Sequence, residues 1–267
     1  MKKIVVAPDS FKGSLTSAEV ADAVERGIKD VFPQCNVVKA GVADGGEGTV
    51  EAIVKAVGGD MYAASVTDPL GRPVKAAYGI VRSGGVKTAV MEMSAASGLP
   101  LLLPDELNPW ITSTYGTGEM ISDALNRGCR KFLVGIGGSA TNDAGTGMLS
   151  ALGVRFLDSR GQRLKGCGRD LESIARIDMS SLMPAARESE FIVACDVNTP
   201  FCGPDGAARV FAPQKGADPQ TAEALDRGMR SFARVIAGQF QTDIVPLSGA
   251  GAAGGLGGAF KAFLNAR

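Results

Sequence analysis

The residues of this sequence that could do chemistry gather in short loops where glycine stands beside aspartate, serine or threonine. The first, Pro8-Asp9-Ser10-Phe11-Lys12-Gly13-Ser14, sets a carboxylate (Asp9), a hydroxyl (Ser10) and a cation (Lys12) just ahead of a helix start. Free N–H groups and the helix dipole favour an anion at such a place. It is not a Walker loop, because Lys12 precedes its glycine and the leading glycine is missing. A capped turn with an exposed lysine fits it equally well. The second loop, Asp44-Gly45-Gly46-Glu47-Gly48-Thr49, places two carboxylates among three glycines at another helix start. Acids stabilise a helix N-terminus by themselves, but the glycines cost backbone entropy that an ordinary cap does not need. Close approach of a substrate, or of a phosphate linked to Mg2+, accounts for them.

The third loop carries two meanings. Gly135-Ile136-Gly137-Gly138-Ser139-Ala140 fits G-x-G-x-x-A between a strand and a helix, with Asp158 further on after Val154-Arg155-Phe156-Leu157. On that pattern it is a dinucleotide fingerprint, and the protein an NAD(P)-dependent dehydrogenase of a small hydroxy acid. The polar run Ser139-Ala140-Thr141-Asn142-Asp143 is not required by a dinucleotide fold and suits phosphate and metal coordination better. Asp196 ends the apolar run Phe191–Cys195, where α/β enzymes commonly place a catalytic or metal-binding acid. The last loop, Ser248 to Gly258, is a phosphate cradle at a helix start or a site of close helix-sheet packing.

The rest of the composition narrows the chemistry. Histidine is absent, so a general base must be Asp, Glu, Lys, Tyr or Cys. Lys and Arg number 28 and so do Asp and Glu, a balance that disfavours nucleic acid and anionic membranes as partners. The 36 glycines are nearly twice the usual share of about 7%, without the period of a fibrous protein. Five scattered cysteines with no C-x-x-C pair suit reduced thiols. No apolar run is long enough to span a bilayer, and a cytoplasmic protein is expected.

These loops need strands and helices to hold them. Residues 3–7 predict a strand, a capping box at Thr16-Ser17-Ala18-Glu19 a helix, 36–40 a second strand and 49–57 a second helix. This strand-helix alternation opens a parallel α/β sheet. Residues 62–67 and 74–81 predict a hairpin around Asp68-Pro69-Leu70-Gly71-Arg72-Pro73, and 87–93 a third strand. Helices follow at 117–126 and in the segment between Gly137 and Gly153, strands at 131–136 and 191–195, then helices from Pro219 to Ala237 and after Gly255. Three strands without a helix suggest a mixed-sheet domain, residues 61–239, inserted into one formed by 1–60 and 240–267.

Taken in order, Ala7–Ser14, Ala43–Thr49, Tyr115-Gly116-Thr117-Gly118-Glu119, Gly135–Asp143, Cys195-Asp196-Val197, Pro213-Gln214-Lys215-Gly216-Ala217 and Gly249–Gly257 closely resemble the bacterial class II glycerate kinases along the whole chain. The resemblance implies ATP- and Mg2+-dependent phosphorylation of D-glycerate, giving 2-phosphoglycerate. It also implies two α/β domains, one flavodoxin-like and one with a restriction-endonuclease-like mixed-sheet core, with the active site between them. Family members continue with a further α/β segment beyond the last glycine-rich helix, so the flavodoxin-like domain is expected to be incomplete here, in a fragment or a shortened member. An inactive ligand-binding fragment stays open beside the kinase and the dehydrogenase. The kinase assignment makes Asp196 the group that orients or deprotonates the glycerate hydroxyl, with Asp44 second. Lys12 then balances phosphoryl charge or holds the substrate carboxylate, with Asp9, Ser10, Gly45 and Gly46 beside the substrate. Gly137, Gly138, Ser139, Thr141, Asn142, Gly249 and Gly251 would line the nucleotide, and Asp143 or Glu47 would hold Mg2+. Oligomeric state is not legible.

Overall fold

The computed structural model describes residues 3–8, 11, 14–15, 17–39 and 48–267. Strand β1 (Lys3–Val6) pairs in parallel with β2 (Asn36–Lys39), and α1 (Ser17–Val31) connects them. Val20 and Ala21 of α1 and Val6 of β1 are buried, whereas Val5 and Val38, opposite each other in the register, are exposed. Thr16, the first residue of the expected capping box, lies outside the described residues, as does most of the glycine-rich loop before residue 48.

Helix α2 (Thr49–Val57) leads into a five-stranded sheet of order β3-β4-β5-β6-β9. Its members are β3 (Gly59–Thr67), β4 (Pro73–Ser83), β5 (Val86–Glu92), β6 (Lys131–Gly135) and β9 (Glu190–Ala194). β3, β4 and β5 pair antiparallel, and β5, β6 and β9 run parallel. The predicted hairpin is therefore present, with a chemically defined turn. Asp68 accepts from the amides of Leu70 and Arg72 and from the Arg72 guanidinium, which in turn reaches Glu106.

Alternation along the strands sends Tyr78, Met91, Phe132 and Phe191 to one face. That face is covered by α4 (Tyr115–Asn126) and α9 (Ala252–Leu264), against which α5 (Thr146–Ala151) and α8 (Pro219–Phe240) pack. Three short helices complete the set: α3 (Ser94–Ser97), α6 (Pro184–Arg187) and α7 (Ala207–Phe211). The other face is covered by α2, through Val50 and Val54 on Val81 and Val90. A Cβ at Gly79 would collide with Val54, so glycine lets this helix sit close. α2 does not extend over β9, and Ile192 is left 45% exposed.

Residues 252–267, which the sequence groups with 1–60, pack here on the five-stranded sheet. Phe191 stacks on Phe132 with ring centres 4.7 Å apart and meets Phe260 of α9 at 5.8 Å. The Arg267 amide donates to the Phe191 carbonyl at 3.1 Å and its carbonyl accepts from Val193 at 2.8 Å, the pattern of a parallel rung beside β9.

The dinucleotide alternative loses its frame. A βαβ unit returns its second strand parallel to the first in the same sheet. Here β7 (Arg155–Leu157) leaves the sheet and pairs antiparallel with β8 (Arg176–Asp178) in a separate ribbon. Asp158 closes its own turn instead, accepting from the amides of Arg160 and Gln162 at 2.9 and 2.8 Å.

Phe191 is buried between two rings, so Phe191→Ala is expected to lower stability by about 3–5 kcal/mol. Urea unfolding reads this as a lowered midpoint; a loss below about 1 kcal/mol would contradict the packing.

Candidate functional site

Three parallel strands end on the same side of the sheet, and the chemistry-bearing loops leave from those ends. β5 ends at Glu92, β6 runs into Ile136-Gly137-Gly138, and β9 runs into Cys195-Asp196. In open α/β sheets this is where ligands are bound. A groove of about 410 Å3 opens there, lined by Thr49 and Ile53 of α2, Leu133 and Gly135 of β6, and Cys195 and Asp196. Asp196 is exposed at its end. Glu92 accepts a hydrogen bond from the Val50 amide at 3.0 Å, which joins the end of β5 to the first turn of α2.

The glycine turn after β6 leaves backbone amides without protein acceptors among the described residues. Gly137 and Gly138 are exposed, and Gly138 has φ +72, in the left-handed region that glycine reaches without strain. The carbonyl of Gly138 accepts from Leu99 and the amide of Ala140 donates to Ser97, so the turn is stitched to the segment after β5. Among the described residues, the amides of Gly137, Gly138 and Ser139 donate to no protein acceptor. Successive unpaired amides around a left-handed residue form an anion-binding concavity.

Behind the turn the loop is clamped. Asp143 is fully buried, and its carboxylate accepts from the Thr114 amide and hydroxyl, both at 2.8 Å, and from the amides of Gly145 and Gly147, both at 3.1 Å. Burial pushes its carboxyl upward, and the bonds from Thr114, Gly145 and Gly147 pull it back. Both oxygens of this expected Mg2+ ligand are engaged by protein donors, and none of its surface reaches solvent. Lys215 is the one buried cation among the described residues. Its ammonium donates to Ser139 Oγ and to the Thr141 carbonyl, each at 2.7 Å. Burial pushes Lys215 down to about 7, opposed by the nearby Asp143 charge.

The remaining expected nucleotide contacts divide. Ser139 is nearly buried at the base of the turn, whereas Thr141 and Asn142 are wholly buried, the Asn142 amide facing Met229 Sδ at 3.3 Å. Thr141 Oγ1 and Asn142 Oδ1 are buried without a hydrogen-bond partner among the described residues. Gly249 stays partly exposed beside Cys195 and Val197. Gly251 is buried and donates its amide to the Thr199 carbonyl at 3.0 Å, so no N–H is left for a phosphate. Side chains at Gly251 and Gly254 would collide with the Pro200 and Thr141 carbonyls. Close packing is thus the role of this loop from Gly251 onward.

Asp9, Ser10, Lys12, Asp44, Gly45, Gly46 and Glu47 lie outside the described residues. Thr49, the first residue of α2 after its N-cap Gly48, lines the groove. Two residues were missed from the sequence. Glu92 could have been found by the logic that picks out Asp196, an acid at the end of an apolar strand. Lys215 sits in an ordinary Pro-Gln-Lys-Gly turn, and nothing local marks it as buried.

The chain matches the model of the glycerate kinase family over residues 4–267. It is 50% identical over 256 residues to a glycerate kinase of Haemophilus influenzae, covering 96% of this chain and 67% of that protein. It is 47% identical over 264 residues to the glycerate 2-kinase of Escherichia coli, covering 99% of this chain and 69% of the relative. The crystal structure of a putative glycerate kinase 2 from Salmonella typhimurium LT2 superposes with a TM-score of 0.88 at 46% identity, covering all of this chain and 71% of that one.

The buried ammonium makes a prediction about pH. Lys215 binds fewer protons folded than unfolded between about 7 and its ordinary 10.5. Stability therefore rises with pH through that window and falls as pH drops through 7. Urea unfolding between about pH 7 and about pH 9 is expected to show this slope, at most about 1.4 kcal/mol per pH unit, in the wild type. The slope should flatten in Lys215→Met, and equal slopes would count against the buried ammonium.

Proposed function

Since the chain belongs to the glycerate kinase family, we propose that it transfers the terminal phosphoryl group of ATP to the 2-hydroxyl of D-glycerate. The observation that carries this reading is the row of unpaired amides at Gly137–Ser139, at the end of the strand next to the one that carries Asp196. Phosphoryl transfer asks a protein for positioning and charge neutralisation rather than covalent chemistry. The turn supplies N–H donors for phosphate oxygens. Asp196 accepts the proton of the glycerate hydroxyl as its oxygen bonds to phosphorus and the bond to the departing ADP oxygen breaks.

Mg2+, when bound, neutralises phosphate charge and orients the chain of phosphates. Among the described residues no three acidic or thiol groups stand close enough to hold a metal ion. Mg2+ keeps several waters and takes one or two carboxylates plus phosphate. Glu47 is proposed to hold it, directly or through water, which leaves Asp196 and Asp44 for the hydroxyl proton. Lys12, Asp9 and Ser10 are proposed to meet the substrate carboxylate. The finer architecture proposed alongside is a flavodoxin-like unit that includes β1, α1 and β2, and a restriction-endonuclease-like core around the five-stranded sheet. A cytoplasmic location goes with it; no described helix is long and apolar enough to cross a membrane.

An ADP-release assay with D-glycerate, L-glycerate and related hydroxy acids tests the reading. Turnover is expected with D-glycerate and is lost when Mg2+ is chelated. Asp196→Asn is expected to lower kcat by about 10²–10⁴-fold, with Asp44→Asn lowering it as well. Full turnover in both variants would overturn the assignment of the acid.

A further inference from the structure

The glycine turn has a cation behind it that no substrate can touch. Lys215 is 1% exposed, on the 3-10 turn Pro213–Lys215 that follows α7. Both of its hydrogen bonds cross 74–76 residues of sequence to the loop after β6, and both acceptors are neutral. Burying an ammonium without a carboxylate in contact is expensive, and a well-packed apolar side chain would be the more stable choice. The geometry of what it holds accounts for its presence. Ser139 Oγ accepts from the ammonium, so the hydroxyl's own proton is left to donate elsewhere. Ser139 is also the last of the three residues whose amides are unpaired. Two residues further, the Thr141 carbonyl is turned inward by the same ammonium. The loop is thereby held from behind at two points.

We propose that Lys215 is a positioning residue for the phosphate-bearing substrate: acting through Ser139 and the Thr141 carbonyl, it holds the Gly137–Ser139 turn in its anion-receiving shape. This rests on the reading that the turn takes the phosphates of ATP. Lys215 touches no reacting atom, so its effect falls on binding of ATP rather than on the chemical step or on glycerate.

Lys215→Met, close in size and without charge, is expected to raise KM for ATP by roughly tenfold or more while KM for glycerate and kcat change less than about threefold. Ser139→Ala is expected to act in the same direction. Because the lysine works through the serine, the double variant should be little worse than the more damaging single one. Unchanged KM for ATP in Lys215→Met, an equal loss on both substrates, or additive effects in the double variant would overturn the proposal. Should Lys215→Met fail to fold, Ser139→Ala alone carries the test by the same split between KM for ATP and the other constants. If the wild type shows no glycerate-dependent turnover, the kinase reading fails, and calorimetric titration with inorganic tripolyphosphate takes the place of KM. Binding by wild type that weakens roughly tenfold in the variant still supports the role of Lys215. Equal binding, or none to wild type, overturns it.

Discussion

The carboxylate of Asp143, buried beyond the reach of water, is held by the Thr114 amide and hydroxyl and by the amides of Gly145 and Gly147. A carboxyl group in that position is tolerated only because its desolvation is offset by such donors. The donors come from the start of α4 and the start of α5, so one side chain ties two helix ends to the loop after β6. The Thr114 hydroxyl extends the knot by accepting from the Met148 amide at 2.9 Å. Lys215 closes the other side of the loop through Ser139 and Thr141. Removing either charge alone would leave the other in low dielectric with less to balance it. The shape of the exposed Gly137–Ser139 turn depends on this buried, charged scaffold.

Glycine serves two distinct purposes in this chain. At Gly137 and Gly138 it keeps an exposed backbone bare and lets Gly138 adopt a left-handed conformation. At Gly116 and Gly118 it brings α4 against the Thr67 and Met148 carbonyls, where a Cβ would collide. The same close approach recurs at Gly251 and Gly254, and Ala253 shares the left-handed conformation of its neighbours (φ +52), a cost that the surrounding packing has to offset. A high glycine content thus reports close backbone contact, and burial decides whether the partner is a ligand or another strand or helix.

Much of the fold was legible because each signal was local. The hairpin was readable from Asp68-Pro69-Leu70-Gly71-Arg72-Pro73 between two runs of strand formers, and α8 from its long apolar stripe after Asp218-Pro219. That stripe begins at an aspartate whose side chain accepts from the Thr221 amide, as an N-cap should. The ribbon of β7 and β8 was not readable, since strands of three residues carry too little alternation to stand out. The fingerprint at Gly135–Ala140 left a second meaning open for a related reason: it describes a turn between strand and helix, and many sheets contain one.

The sequence by itself determined the character of the chemistry. With no histidine and no net charge, and with acids and glycines at strand ends, it pointed to phosphate handling by aspartate and backbone amides, and its ordered motifs pointed to a family. Tertiary structure alone decided which of these residues are available. It buried Asp143, Thr141, Asn142 and Gly251, exposed Gly137, Gly138 and Asp196, and brought Lys215 from a distant turn to stand behind them. The physical reason is that side-chain type and spacing are properties of a short segment. Exposure, desolvation and contact between loops belong to how sheet and helices enclose one another.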